Sequence, residues 1–256
     1  MRRVIFNQKG GVGKTSIACN LAAISAKRGK RTLVIDLDTQ ANSSHYLLGD
    51  AEYDVSMADF LDQSVGFFET PKPANEFVFQ TQFENLFIMP ACKRLPEIER
   101  KLESRYKIFA LKKAFKELEA FYDEIYIDTP PALNFYTKSA LVGADRVLIP
   151  FDCDAFSKSS LASVSSAILE IKEDHNDDLN IEGVIINQFQ TRAKLPQQLV
   201  NELIEDNYPV MSSMLTSSVK MRESHQQASP LIYYAPKHNL TKQFEMLYEE
   251  LNSVEQ

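Results

Sequence analysis

The stretch Val4-Ile5-Phe6-Asn7-Gln8-Lys9-Gly10-Gly11-Val12-Gly13-Lys14-Thr15-Ser16 decides the fold: a short apolar run, a glycine-rich turn, then a step into a helical pattern. Glycines let successive backbone N–H groups converge on phosphate oxygens. The turn delivers those oxygens to a helix N-terminus, whose orphan amides and dipole favour negative charge. Lys14 supplies a point charge for β- and γ-phosphates, and the Thr15 hydroxyl is of the type that ligates Mg²⁺. The usual phosphate-loop spacing, G-x-x-x-x-G-K-[ST], would put glycine at position 8, where this chain has glutamine. What stands here is K-G-G-x-G-K-T, with a second lysine, Lys9, in the first half of the loop.

Outward from the loop, short β-rich apolar runs alternate with longer helical patterns. That rhythm predicts an α/β fold, a mainly parallel twisted sheet with helices on both faces. Strands are predicted at 3–6, 32–37, 86–89, 124–128, 146–150, 183–187 and 210–215, and helices at 14–27, 108–121, 134–141, 157–172, 196–206 and 240–251. Only about 50–85 escapes the pattern. There Thr70-Pro71-Lys72-Pro73 interrupts a segment rich in aromatics (Phe67, Phe68, Phe77, Phe79, Phe83), which argues for an ordered excursion and not a flexible linker. The chain is otherwise read as one domain over 1–256.

Two further strands end in acid. Thr32-Leu33-Val34-Ile35-Asp36-Leu37-Asp38 places carboxylates at i and i+2, on one face of a strand, and Ile125-Tyr126-Ile127-Asp128 ends in a third. All three fall at the carboxyl edge of the sheet, where open α/β sheets bind ligands. An aspartate ending a strand beside a phosphate loop is the usual partner of Mg²⁺.

Composition narrows the classes. The chain has 256 residues, 44% apolar, and a formal net charge of −7, which speaks against a surface coated in cations for constitutive nucleic-acid binding. Cys19, Cys92 and Cys153 are scattered and form neither a disulfide framework nor a zinc pattern. No apolar run approaches the roughly 18 residues of a membrane span, and the first strand begins too early for a signal peptide. A cytoplasmic protein is expected.

With these motifs in place the chain resembles the ParA-type partition ATPases, within the deviant-Walker MinD/ParA group of P-loop proteins. The resemblance is carried by the loop Gln8 to Ser16, by Val34-Ile35-Asp36-Leu37-Asp38-Thr39-Gln40-Ala41-Asn42, by Ile127-Asp128-Thr129-Pro130-Pro131-Ala132-Leu133, and by Ala144-Asp145-Arg146-Val147-Leu148-Ile149-Pro150. Asn187-Gln188-Phe189 with Arg192, and Val219-Lys220-Met221-Arg222-Glu223-Ser224, resemble its late motifs.

The resemblance implies an ATP- and Mg²⁺-dependent ATPase, slow and stimulated by a partner, that closes into a homodimer around ATP. It implies catalytic roles for Lys9, Lys14 and Asp38, with Lys9 reaching the phosphates held by the other subunit and Asp38 orienting the attacking water. ATP would be held by Lys9, Gly10, Gly11, Val12, Gly13, Lys14, Thr15 and Ser16, with Asn187 at the adenine; the metal by Thr15, Asp128 (through water) and Asp38. Family members of this length without an added N-terminal DNA-binding motif bind DNA non-specifically when ATP-bound, and become nucleoid-associated. Arg192, Lys220 and Arg222, with Lys194 nearby, would supply those contacts. A ParB-like protein or cargo adaptor would be the activator, and a plasmid, chromosome region or large protein assembly the cargo.

The chain departs from the family pattern at Leu215-Thr216-Ser217-Ser218, where Ile-Pro-Arg-Asn is usual, and at Thr39, where proline is usual. The first change removes a proline near the base pocket and a cation near the DNA face. Three other readings stay open on sequence. A MinD-like membrane-associated ATPase would need a cationic C-terminal amphipathic helix, and 244–256 is acidic without Lys or Arg. A metabolic relative, a corrinoid amide ligase or iron–sulfur electron donor, finds no cysteine cluster and no Cys/His amidotransferase pair. A non-enzymatic scaffold conflicts with the intact Lys14, Asp38 and Asp128.

Overall fold

The computed structural model describes residues 1–65, 71–154 and 157–253. Phe67, Phe68 and Thr70 of the aromatic excursion, and Val254, Glu255 and Gln256 of the acidic C-terminal stretch, lie outside the described residues. Seven strands form one sheet: β1 Arg2–Ile5, β2 Thr32–Asp36, β3 Phe79–Gln80, β4 Leu86–Met89, β5 Glu124–Asp128, β6 Arg146–Asp152 and β7 Asn180–Asn187, in the order β3-β4-β2-β5-β1-β6-β7. Every pairing is parallel except β3 with β4. The expected α/β architecture is therefore the one found.

Side chains alternate across the central strands, as a period of two requires. Val4, Leu33, Ile35, Ile125 and Ile127 enter one core; Ile5, Val34 and Tyr126 enter the other. The first core is covered by α3 Met57–Gln63, α4 Leu95–Ser104, α5 Ala110–Leu118, α6 Phe135–Gly143, α7 Ser157–His175 and α8 Lys194–Glu205. The second is covered by α1 Lys14–Lys27, α2 Asn42–Leu48, α10 Leu231–Tyr234 and α11 Asn239–Ser253, with α9 Val219–Gln226 packed beside α10. Both faces of the sheet are thus dry, and its central strands read as continuous apolar runs for that reason.

One predicted strand is absent. Residues 210–215 follow the outer edge of β7 only through isolated bridges, Val184 with Val210 and Phe189 with Thr216. The cause is Glu250 on α11, whose carboxylate accepts from the amides of Ser212 at 2.6 Å and Ser213 at 2.9 Å and so draws the chain off the ladder. The seventh strand is β3, at the opposite edge, inside the excursion. In the described part of that excursion Phe77 meets Phe60 edge-on at 5.6 Å, and Phe83 stacks on Tyr233 at 4.4 Å.

Register sets the site. Ile5, the last residue of β1, pairs with Asp128, and Asp128 pairs with Asp36. The loop after β1 and both strand-end carboxylates therefore share one edge of the sheet.

Candidate nucleotide site

Between Ile5 and α1 the chain turns through Gly11 at φ 77° and Gly13 at φ 93°, the left-handed region that glycine enters without steric cost. At Gly13 a second constraint applies: an added Cβ would lie 2.2 Å from Asn187 Nδ2. Any larger residue would break the contact between the loop and the end of β7. Gly13 also caps α1 with no side-chain hydrogen bond, and the first turn of α1 carries no acidic residue. Its orphan amides are therefore available to an anion.

The loop is braced from neighbouring strand ends. Asn7 Nδ2 donates to the Pro150 carbonyl at 2.7 Å, while its Oδ1 accepts from the Lys9 amide at 2.9 Å. Asn187 Nδ2 donates to the Val12 carbonyl at 2.8 Å and Gln188 Nε2 to the Gly11 carbonyl at 3.1 Å. Asn187, expected at an adenine ring, thus has its amide nitrogen engaged by the loop itself. Gln188, Asn7 and Pro150 were not singled out from sequence as site residues. A residue at positive φ, Gln188 at 54°, is a signal that only the backbone reveals.

A cavity of about 380 Å³ opens here, lined by Gly10, Gly11, Gly13, Lys14, Thr15 and Ser16, by Asp38, Gln40 and Asn42, and by Pro131 and His225. Lys14 is 7% exposed, and its ammonium donates to the Lys9 carbonyl at 3.1 Å. Burial lowers its pKa, against the opposing pull of Asp128 and Asp38. Thr15 Oγ1 and Ser43 Oγ both donate to Asp128 Oδ2 at 2.7 Å. Burial raises the Asp128 pKa despite those two hydrogen bonds and the nearby Lys14 charge.

The other oxygen, Asp128 Oδ1, is buried with no hydrogen-bond partner among the described residues. A buried, unpartnered carboxylate oxygen beside a threonine hydroxyl fits a hydrated Mg²⁺ held largely by phosphate oxygens. No cluster of three His, Cys, Asp or Glu side chains able to hold a metal occurs among the described residues. Asp36 and Asp38, alike in sequence, separate in role. Asp36 is buried and accepts from the amide and hydroxyl of Ser44 at 2.9 and 2.7 Å, anchoring α2, and burial beside Asp128 raises its pKa. Asp38 lines the cavity and accepts from the Gln40 amide at 2.9 Å.

Lys9 stands apart from Lys14. Its ammonium is about one-third exposed and is gripped within its own chain by Asp152, at 2.7 Å, and by Asp154. These two carboxylates, at and just beyond the end of β6, gave no sequence signal: they lie 143 and 145 residues from Lys9. The three proposed DNA contacts divide between two segments. Arg192 is exposed in the turn before α8; Lys220 and Arg222 lie on α9, where Lys220 is paired with Glu223. The bridge between Phe189 and Thr216 ties those segments together. A larger cavity of about 570 Å³, between α3 and α5, contains none of the phosphate-loop or strand-end residues.

A family model described as AAA domain matches residues 3–181. The chromosome partitioning protein ParA of Myxococcus xanthus is 32% identical over 257 residues, covering 96% of this chain and 86% of that protein. The sporulation initiation inhibitor protein Soj of Bacillus subtilis is 32% identical over 238 residues, covering 91% and 90%. The chain belongs to the ParA-type partition ATPases. Its fold matches that of solved structures: the ATP complex of an aspartate-to-alanine variant of McdA from Cyanothece superposes with a TM-score of 0.84 at 22% identity, over 98% of this chain and 96% of that one. As a ParA-type chain it carries the variant loop intact, and no described helix is long and apolar enough to cross a membrane.

Proposed function

We propose that this ParA-type ATPase is a Mg²⁺·ATP-driven dimerising switch that binds DNA non-specifically in its ATP state and positions a plasmid, chromosome region or large protein cargo. The observation that carries the reading is the orphaned Asp128 Oδ1 beside Thr15, at the mouth of a loop that also bears Lys14 and Lys9. Cavity volume supports the same reading: about 380 Å³ is room for the phosphate chain, with the base and ribose extending beyond it.

In this reading the amides of Gly10 to Ser16 cradle the phosphates, and Lys14 stabilises charge on the β- and γ-phosphates. Thr15 and, through water, Asp128 would hold Mg²⁺, which when bound would offset phosphate charge and orient the terminal phosphoryl group. Asp38 orients the attacking water from the turn after β2. Lys9 leaves Asp152 and Asp154 and crosses to the partner subunit's nucleotide, where a cation between two facing triphosphates removes a strong repulsion. Arg192 and Arg222 meet DNA phosphates, joined by Lys220 once it exchanges Glu223 for phosphate. A ParB-like or adaptor protein would set the timing of hydrolysis.

The test pairs two variants. Asp38→Ala binds ATP and dimerises by light scattering without releasing phosphate, while Lys9→Ala binds ATP and stays monomeric. Normal turnover in the first removes Asp38 from its role, and a normal ATP-dependent dimer in the second removes the bridging lysine.

A further inference from the structure

The loop's own sequence accounts for most of the cavity wall, but one chemically competent side chain comes from far away. His225, on α9, lines the cavity, and its Nε2 lies 2.9 Å from Ser16 Oγ. The ring lies flat on Tyr46 of α2, with centroids 3.9 Å apart and planes 14° apart. Next to it, the Tyr46 hydroxyl is 2.9 Å from Ser224 Oγ. Asn20 of α1 donates to the Tyr46 hydroxyl at 3.2 Å and to the Ser16 carbonyl at 2.8 Å. Three elements therefore meet around one imidazole: α1 from the phosphate loop, α2 from the turn that carries Asp38, and α9 with Lys220 and Arg222.

The imidazole is held neutral, because burial and the nearby His45 push its pKa down from 6.5 to about 4. A neutral ring has one N–H, and a serine hydroxyl has one proton, so their hydrogen bond runs in one of two directions. With the proton on Nε2, the ring donates to Ser16 Oγ and the hydroxyl hydrogen is left for an acceptor in the cavity. With the proton on Nδ1, the hydroxyl donates to the ring and presents only lone pairs to an anion. Phosphate in the loop favours the first arrangement and is repelled by the second. Stacking on Tyr46 keeps the ring plane fixed, so that the choice is made by proton placement and not by ring rotation.

We propose that His225 is a nucleotide-positioning residue, which through its hydrogen bond aims the Ser16 hydroxyl at the phosphate chain and thereby couples the seating of α9 to occupancy of the loop. The proposal rests on the reading of this cavity as the ATP site. It assigns a role in nucleotide binding to a residue 209 positions from its partner.

His225→Phe keeps the ring and its stack on Tyr46 but removes the hydrogen bond, whereas His225→Gln returns an amide nitrogen at nearly the same reach. Calorimetric binding of Mg²⁺·ATP is the first readout, in each variant and again with Ser16→Ala. His225→Phe weakens ATP roughly ten-fold, the scale of one hydrogen bond serving a charged ligand, and His225→Gln recovers most of the loss. In the Ser16→Ala background His225→Phe has no further effect, because the two act as a unit. The second readout is hydrogen exchange: ATP slows amide exchange in α9 of the wild type and the Gln variant but not of the Phe variant. Should the Phe variant fold poorly, His225→Asn, whose amide falls short of Ser16, replaces it in the same cycle. Wild-type affinity in His225→Phe, or an equal loss with and without the Ser16 hydroxyl, overturns the proposal. A wild-type protein that binds no ATP overturns the site reading itself, before any variant is compared.

Discussion

At the amino ends of the strands Arg3 and Glu124 are buried among partners of opposite charge, whereas at the carboxyl ends three aspartates, Asp36, Asp38 and Asp128, are buried, two of them (Asp38 and Asp128) acting on the Lys14 ammonium. In the first set, Arg3 Nε donates to Glu182 at 2.8 Å, and Glu124 accepts from Lys30, from the Tyr126 hydroxyl at 2.8 Å and from the Tyr248 hydroxyl at 3.2 Å. Burial alone would raise the Glu124 pKa, but the Lys30 hydrogen bond and the Arg3 charge outweigh it and leave the carboxyl below its usual range. In the second set burial wins, and the carboxyls of Asp36 and Asp128 are pushed up. Within one sheet the outcomes are opposite: buried charge that is balanced within the chain holds structure, and buried charge left unbalanced marks a candidate site for a cation and its phosphates.

The contrast breaks if the two ends respond alike to loss of a charge. The largest expected effect is at the amino end, where Arg3→Met strands Glu182 and takes a cation from beside Glu124, and costs about 3–5 kcal/mol in urea unfolding, the range for breaking a buried ion pair from one side. Activity per folded molecule stays the same. Next comes Asp128→Asn, which keeps an acceptor for Thr15 and Ser43 but removes the charge. Phosphate release falls roughly 10²–10³-fold, as for other single electrostatic contacts to a transition state, while the unliganded protein is no less stable. A large loss of stability in Asp128→Asn, or of catalysis in Arg3→Met, would erase the distinction.

A pH series sharpens it. His225 has a native pKa depressed from 6.5 to about 4, so its contribution to stability is complete above 6.5 and is lost as pH falls toward 4. Glu124 is depressed from 4.5, so its contribution is lost only below 4.5. Difference curves against the wild type, from chemical denaturation at each pH, should therefore bend between 6.5 and 4 for His225→Phe and below 4.5 for Glu124→Gln. The smallest effect is Glu249→Gln, which breaks the exposed pair with Arg28 beside the amino-end set and costs less than about 1 kcal/mol. A larger cost would mean that the balanced set extends to the surface.

The core of the candidate site is legible in the sequence because it is local. Lys14 and Thr15 follow directly from the loop, and Asp128 from the end of an apolar strand, since a strand of that composition in an α/β rhythm ends at the edge where the loop lies. The strand expected at 210–215 failed for a non-local reason, the grip of Glu250 on the Ser212 and Ser213 amides. α2, which brings Ser43 to Asp128 and Tyr46 to His225, is only seven residues long and was not predicted, because so short a helix is stabilised by packing more than by its own propensity.

From its sequence alone this chain determined a phosphate loop between a strand and a helix, a parallel sheet with acids on its ligand edge, and membership of a family. Those features depend on residues a few positions apart, whose relative placement backbone geometry dictates. Tertiary structure alone decided that Lys9 is gripped by Asp152 and Asp154, that Asn187 and Gln188 brace the loop, that His225 reaches Ser16, and that Arg3 is closed off by Glu124 and Glu182. Each of these joins residues more than 100 positions apart, and only the order of the strands and the packing of the helices on them, which no local pattern encodes, brings them into contact.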